Sequence, residues 1–322
     1  MGHILLLDAG GTITSRPNAD GALAASDAED RLAGLLPEGA PLVRVWRVHS
    51  GLSEAMSFSD MASVAAAVVE SQARPQVDGI VVAHGTDVME EVAFLVDLVA
   101  SADKPVVFTG AQRAAGRGRS DGPRNLRDAI TAAASPAMVR AGVVIAFAGR
   151  LIPARQAVKI HTSDMRAFRA RDGVEGRVVG RSVLPPPGRR VRLAPLPLMT
   201  PSEAVELVAL GAGSAAPLIA AAPGLGLKGL VLCALGRGNV GPSALEAVKA
   251  AIAAGLVVVV ASRCPEGASA PDYATGLALQ KAGAIFAGDL GASQARIALA
   301  TLLATHDRDA AVEAFRRMAQ VA

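Results

Sequence analysis

The 322-residue chain predicts an α/β fold of two domains: a larger N-terminal domain with a mostly parallel sheet flanked by helices, and a smaller C-terminal α/β domain. Three observations predict it. Short, continuous apolar runs alternate with longer segments of helical period; a proline-rich stretch near residue 185 interrupts the alternation; beyond it the alternation resumes in shorter form. Runs that are apolar at every position suit strands buried on both faces, as in a parallel sheet covered by helices.

The elements follow in order. The run HILLLD opens the chain and ends in AGGTIT, and a helical segment runs from Ser59 to Ala73. Then come the strand-like GIVVAH, a helix from Glu90 to Ala100, the strand-like PVVFTG, a helix from Asn125 to Ala134, and GVVIAFAG. Residues 181–200, RSVLPPPGRRVRLAPLPLMT, carry three consecutive prolines and no helical period, which marks extended chain. The expected division is residues 1–185 for the first domain, 186–204 for a linker and 205–322 for the second domain. In the latter, GLVLCAL, a helix from Pro242 to Ala254 and LVVVVAS repeat the pattern.

Composition narrows the function. Apolar residues are 51% and charged residues 19% of the chain, a globular balance that excludes disorder. Aromatics are 3%, with Trp46 and Tyr273 the sole residues of their kinds, so an aromatic role in a site has few candidates. The formal charge is +3 and the arginines are scattered, with no basic stripe interleaved with stacking aromatics; nucleic acid is not an expected partner. Cys233 and Cys264 each follow a hydrophobic run and read as buried, reduced thiols of a cytoplasmic protein. The five histidines lack metal-ligand spacing, so neither a metal nor another cofactor is expected. No basic n-region precedes the first apolar run, and no run approaches a membrane span, so neither a signal peptide nor a membrane partner is expected.

The strand ends carry the chemistry. Parallel sheets bind ligands beyond the carboxyl ends of their strands. The first strand ends in Gly10-Gly11, which permits unusual backbone angles and close approach of a ligand, and Thr12 follows at the lip of that crevice. Alone, GGT reads equally as a tight turn. The second strand end, HGTDVMEE, repeats the pattern of glycine, threonine and acid before a helix, placing Thr86 and Asp87 at the same level. Its bland reading is a helix cap, because T-D-x-x-E resembles a capping box. The third, VVFTGAQR, adds the Gly110-Ala111 backbone. A threonine hydroxyl needs a neighbouring base to become a nucleophile. Lys159 in AVKIHTSDMRAF follows an apolar stretch, and partial burial makes an amine a better base near neutral pH. A Thr-Lys-Asp set of Thr86, Lys159 and Asp87 would deprotonate a hydroxyl or a water without a metal.

These residues carry a resemblance. AGGTIT, HGTDVMEE, KPVVFTGAQR, SDGPRNLRDA and VKIHTSD, in that order and at similar separations, resemble the bacterial-type L-asparaginases. ALGRGN and SRCPEG extend the likeness into the C-terminal domain. The resemblance implies hydrolysis of a side-chain amide, with release of ammonia, through a threonine nucleophile that matches Thr12. It implies that Thr86, Asp87 and Lys159 activate the hydroxyl or the attacking water, and that Asp87 also holds the substrate α-amino group. Ser53 in SGLSEAM matches the serine that grips the α-carboxylate, with Glu54 beside it, and Ala111 matches the alanine whose backbone meets the substrate amide. N–H groups near Gly11 and Thr86 would receive the oxyanion. Asn239 matches a residue that reaches the site of a neighbouring copy, so a homo-oligomer, dimer or tetramer, is implied.

Four departures qualify the likeness. The family's mobile lid carries a tyrosine beside the nucleophile, whereas TSRPNADGALAASD here has none; Thr14, Ser15 and Asn18 are its polar substitutes. Tyr273, the sole tyrosine, lies in GASAPDYATG, a region from which family members lend a group to a neighbouring copy's site; it reads first as a helix-start packing residue and second as a surrogate for the lid tyrosine. Glu54 replaces a common glutamine, and Val88 a common threonine. His161 and Arg155 read as loop residues. L-Asparagine is therefore the leading substrate, followed by a different amide (glutamine, a D-amino-acid or an aspartyl amide) and by a catalytically weak amino-acid-binding protein. A dinucleotide site is disfavoured, because DAGGTIT lacks the third glycine of GxGxxG.

Overall fold

The computed structural model describes residues 2–11, 13, 16–17, 23–24, 32, 34–36, 41–114, 120–188, 193–213 and 216–320. The chain divides into two compact units, Met1–Arg190 and Val191–Ala322.

The first unit runs through β1 (His3–Asp8), β2 (Arg16–Pro17), β3 (Leu23–Ala24), β4 (Val43–Arg47), helix α1 (Phe58–Ala73), β5 (Val77–Ala83), α2 (Met89–Val99), β6 (Val106–Thr109) and α3 (Gly122–Ala133). There follow β7 (Val143–Phe147), β8 (Arg150–Pro153), β9 (Ala157–Lys159), β10 (Phe168–Ala170), β11 (Gly176–Val179) and β12 (Ser182–Leu184). Its main sheet has the order β12-β11-β8-β7-β6-β5-β1-β4. From β7 to β4 the neighbours are parallel, while β8, β11 and β12 extend the sheet antiparallel.

Every residue of β1 is buried, which explains its unbroken apolar run. Ile4 and Leu6 share a core with Val81, Val107 and Val144 and with Leu126, Ala129 and Ile130 of α3. Helices α1 and α2 contribute their own buried faces, Val64, Ala65 and Val68 from one and Val92, Leu95 and Val96 from the other. Ser57 caps α1 in a reciprocal pair with Asp60: Asp60 N–H donates to Ser57 Oγ at 3.2 Å, and Ser57 N–H donates to Asp60 Oδ2 at 2.8 Å.

The strand order positions the site. After β1 the chain moves to the edge strand β4 and then returns to β5 on the other side of β1. That reversal opens the sheet at the carboxyl ends of β1 and β5, the place where ligands bind in doubly wound sheets. Asp8 pairs with Ala83, so the two strand ends lie level.

The second unit contains β13 (Val205–Ala209), α4 (Ala216–Ala221), β14 (Gly229–Ala234), α5 (Pro242–Ala253), β15 (Val257–Ser262), α6 (Ala274–Ala282), β16 (Ile285–Phe286), α7 (Ala292–Thr305) and α8 (Arg308–Gln320). Its four strands are parallel in the order β13-β14-β15-β16. Leu230, Leu232, Val258 and Val260 point into one core with Ala244 and Val248 of α5 and Leu279 of α6. Helix α7 packs against β13, β14 and β15. The two cysteines form no disulfide, as expected, but both are half-buried where burial was expected: Cys233 is next to last in β14 and Cys264 lies two residues beyond β15. Among the described residues no helix is long and apolar enough to cross a membrane.

Candidate active site

The turn after β1 is built from backbone. Gly10 and Gly11 have φ of 79° and 89°, in the left-handed region that favours glycine. Asp8 holds this turn: its Oδ1 accepts the Gly10 N–H at 2.9 Å, and Arg47 approaches its other oxygen at 3.5 Å. A side chain at Gly11 would overlap the backbone of Gly85, so the ends of β1 and β5 approach as closely as bare main chain allows. The Gly11 N–H donates to the Gly51 carbonyl at 3.1 Å. It is thus committed to the neighbouring loop. Thr12, the expected nucleophile, lies outside the described residues, as do Thr14, Ser15 and Asn18.

At the end of β5 the expected cluster comes together. Thr86 is buried, and Lys159 Nζ donates to its Oγ1 at 2.9 Å. The same ammonium meets Asp87 Oδ1 at 2.6 Å. The Lys159 side chain is 17% exposed and that of Asp87 54%, so the amine is sheltered and the carboxylate faces solvent. Neither Thr86 nor Asp87 caps the following helix. Val88 occupies the cap position of α2, and no side chain caps it there. The sequence likeness to a capping box was therefore coincidental: both polar groups turn toward lysine instead.

Ser53 joins the cluster through its hydroxyl, which accepts the Asp87 N–H at 3.2 Å. It is buried in the short helical turn Ser53–Ala55, against the Cα of Gly85, where an added Cβ would strike it. Glu54 in the same turn is exposed. Ala111 is fully buried beyond β6. Its loop is fixed by Asp121 and Asn125, at the start of α3. The Asp121 carboxylate accepts the N–H of Gln112 at 3.1 Å and of Arg113 at 2.9 Å. Asn125 donates to the Gly110 carbonyl and to Asp121, each at 3.0 Å, and its Oδ1 accepts the Ala148 N–H at 3.1 Å.

Two titratable groups frame the β5 end, His84 buried and Glu90 half-buried. His84 has its proton affinity pushed down to about 4, chiefly by burial. Its Nδ1 lies 2.7 Å from the Gly85 carbonyl. A carbonyl only accepts, so the proton sits on Nδ1 of a neutral ring that holds the Gly85 peptide. Glu90 is pushed up to about 7, again first by burial; Glu91 adds to the rise, while the Lys159 N–H, the Lys159 ammonium and Arg171 oppose it. Sequence reading missed Glu90, Asp8, Asp121 and Asn125 as parts of the site. A usable signal was present for the last pair, since an acid and an amide four residues apart at a helix start can share one partner loop.

In the second unit, Asn239 lies in a tight turn bridged to Leu235, and its Oδ1 accepts from Thr275 Oγ1 at 2.9 Å. Tyr273 stands at the cap position of α6, 59% exposed. His161 and Arg155 lie in loop and turn, the former accepting the Asp164 N–H at 2.8 Å. Among the described residues no group of three or more His, Cys, Asp or Glu side chains could hold a metal ion.

Comparison with known proteins adds an independent line. Residues 3–183 match the family description "Asparaginase, N-terminal", and residues 204–315 match "Glutaminase/Asparaginase C-terminal domain". An L-asparaginase of Bacillus licheniformis is 31% identical over 309 residues, covering 94% of this chain and 96% of that protein. A protein named "Probable L-asparaginase" from Deinococcus radiodurans is 35% identical, with 94% and 92% covered. Among solved structures, one titled "Probable Cytoplasmic L-asparaginase" from Campylobacter jejuni superposes with a TM-score of 0.86 at 26% identity, covering 99% of each chain. With both domains matched and relatives alike over nearly their full lengths, this chain belongs to the asparaginase family of amide hydrolases.

Proposed function

We propose that the chain hydrolyses the side-chain amide of L-asparagine to L-aspartate and ammonia through a threonine nucleophile. The observation that carries this reading is the bridging of Thr86 and Asp87 by one lysine ammonium, at 2.9 and 2.6 Å, at the carboxyl end of β5. In this reading Thr12 Oγ attacks the amide carbon. The C–N bond then breaks, ammonia leaves with a proton delivered from the site, and water hydrolyses the resulting ester. Lys159 and Thr86 exchange a proton across their hydrogen bond, and Asp87 offsets the charge on the nitrogen. The Thr86 N–H receives the oxyanion, since the Asp87 N–H is engaged by Ser53. Ser53 receives the α-carboxylate of the substrate and Ala111 its amide, while Asp87, with the Glu54 carboxylate nearby, receives its α-ammonium. Asn239 acts from a neighbouring copy in a homo-oligomer.

A specific comparison favours a second reading, an amide carried on a larger molecule. A protein of Methanopyrus kandleri, named as a component of a glutamyl-tRNA(Gln) amidotransferase, is 27% identical over 98% of this chain and 73% of its own. Ammonia release measured over L-asparagine, L-glutamine, their D-forms and β-aspartyl amides separates the readings. L-Asparagine is expected to be turned over fastest. No ammonia from any of them would overturn the proposal.

A further inference from the structure

We propose that Glu90 is the positioning residue of Lys159: its carboxyl accepts the Lys159 backbone N–H and so fixes where the amine meets Thr86. This rests on the proton-transfer role given to Lys159 under the proposed function.

The geometry begins with β9. This strand has three residues and pairs on one side only, with β10, in a separate two-stranded sheet. Lys159 pairs with Phe168, and the Ile160 N–H donates to the Ala167 carbonyl at 2.7 Å. Alternation along an antiparallel strand then turns the Lys159 N–H away from β10, toward the edge that lacks a strand. Glu90 Oε2 stands in for that missing strand, accepting the N–H at 2.5 Å across 69 residues of sequence. Glu90 belongs to the first turn of α2, one residue beyond its start, where a negative charge also suits the helix dipole. Helix α2 and β9 are in contact, so the carboxyl ties the lysine to the helix that begins just after Thr86 and Asp87. The Lys159 ammonium and its strand are thereby referred to the same short segment, residues 86–90, that supplies its two side-chain partners.

This tie is sensitive to charge. The groups that act on Glu90 are Glu91 on its own helix, Lys159 on β9 and Arg171 just beyond β10. Burial raises its proton affinity to about 7, so near neutral pH it changes between a carboxylate and a weaker, uncharged acceptor. Ionised Glu90 holds the N–H more strongly and leaves the lysine strand better fixed.

The test is kcat against pH, from 5 to 9, for wild type, Glu90→Gln and Glu90→Leu, with Lys159→Met beside them. Wild-type kcat should rise through an inflection near pH 7. Glu90→Gln keeps an acceptor oxygen and should fold and turn over substrate, but without that inflection. Glu90→Leu removes the acceptor and should lower kcat by about tenfold to a hundredfold with a smaller change in KM, the effect of displacing a reacting group by a fraction of an ångström. A Glu90→Gln profile that superimposes on wild type, inflection included, overturns the proposal even if Glu90→Leu fails to fold. A wild-type profile flat through pH 7 overturns it as well. Full activity in Lys159→Met contradicts the lysine's role. Loss of activity there, with an unaltered Glu90→Gln profile, contradicts the positioning alone.

Discussion

Lys159 gathers the polar groups at the end of β5, and its energetics follow from shelter. A lysine that is 17% exposed and bonded to both a buried hydroxyl and a carboxylate has lost most of its hydration, so those two partners must replace it. Lys159→Met keeps the stem and removes the charge. Its kcat in an ammonia-release assay should fall about 10²- to 10⁴-fold, the range of a lost acid–base group. Thr86→Val keeps the shape and removes the hydroxyl, and a comparable fall is expected; activity within a factor of about two of wild type would remove Thr86 from the mechanism. At this scale the sequence disclosed the residue types but not their partners. Thr86 and Asp87 could be read as helix caps because spacing alone does not say which way a side chain turns. Glu90 was invisible because its bond runs to a backbone N–H that no sequence pattern marks.

The elements show a different balance. The parallel strands β1, β5, β6, β7, β14 and β15 were legible because strands buried on both faces must be apolar at every position. The antiparallel extension was not. Strands β8, β11 and β12 carry Arg150, Arg177 and Ser182 and lie toward one edge, so their apolar signal is diluted, and GVVIAFAG contained all of β7 together with the turn that leads to β8. The edge strand β4, VRVWR, is partly exposed throughout and gave no continuous run. One clamp between elements is open to test. Asn125 joins α3 to the loops that follow β6 and β7 through the Gly110 carbonyl and the Ala148 N–H. Asn125→Ala takes this partner from the buried Gly110 carbonyl and the half-buried Ala148 N–H, and a loss of about 1–3 kcal/mol in denaturant unfolding is expected. A loss within error of zero would show that water or relaxation replaces the clamp. Gly11→Ala is expected to fail for a steric reason: its φ of 89° disfavours a side chain, and the added Cβ would overlap Gly85.

For the whole molecule, the buried His84 and the half-buried Glu90 give stability opposing dependences on pH. His84 binds its proton less well folded, falling from 6.5 to about 4, so unfolding takes up protons in that window and stability drops as pH falls through it. Glu90 binds its proton better folded, rising from 4.5 to about 7, so its contribution is present below 4.5 and is lost as pH rises toward 7. Between about 4.5 and 6.5 the two slopes oppose each other. Glu90→Gln removes one of them. Its melting temperature should therefore rise with pH across this window more steeply than that of wild type, and parallel curves would contradict the assignment. At the same scale the proline-rich 186–204 stretch is our proposed linker between domains, and light scattering should give a particle mass that is a multiple of the 32.5 kDa chain if the homo-oligomer forms. Both features were read from composition and resemblance, because neither a linker's path nor a contact between copies leaves a periodic trace in one sequence.

The most direct measurement is ammonia release from L-asparagine by Thr12→Ala, purified beside wild type and shown to have the same circular dichroism. A threonine nucleophile predicts a fall of about a thousandfold or more. Thr12→Ala turning over asparagine at the wild-type rate would contradict the account at its centre.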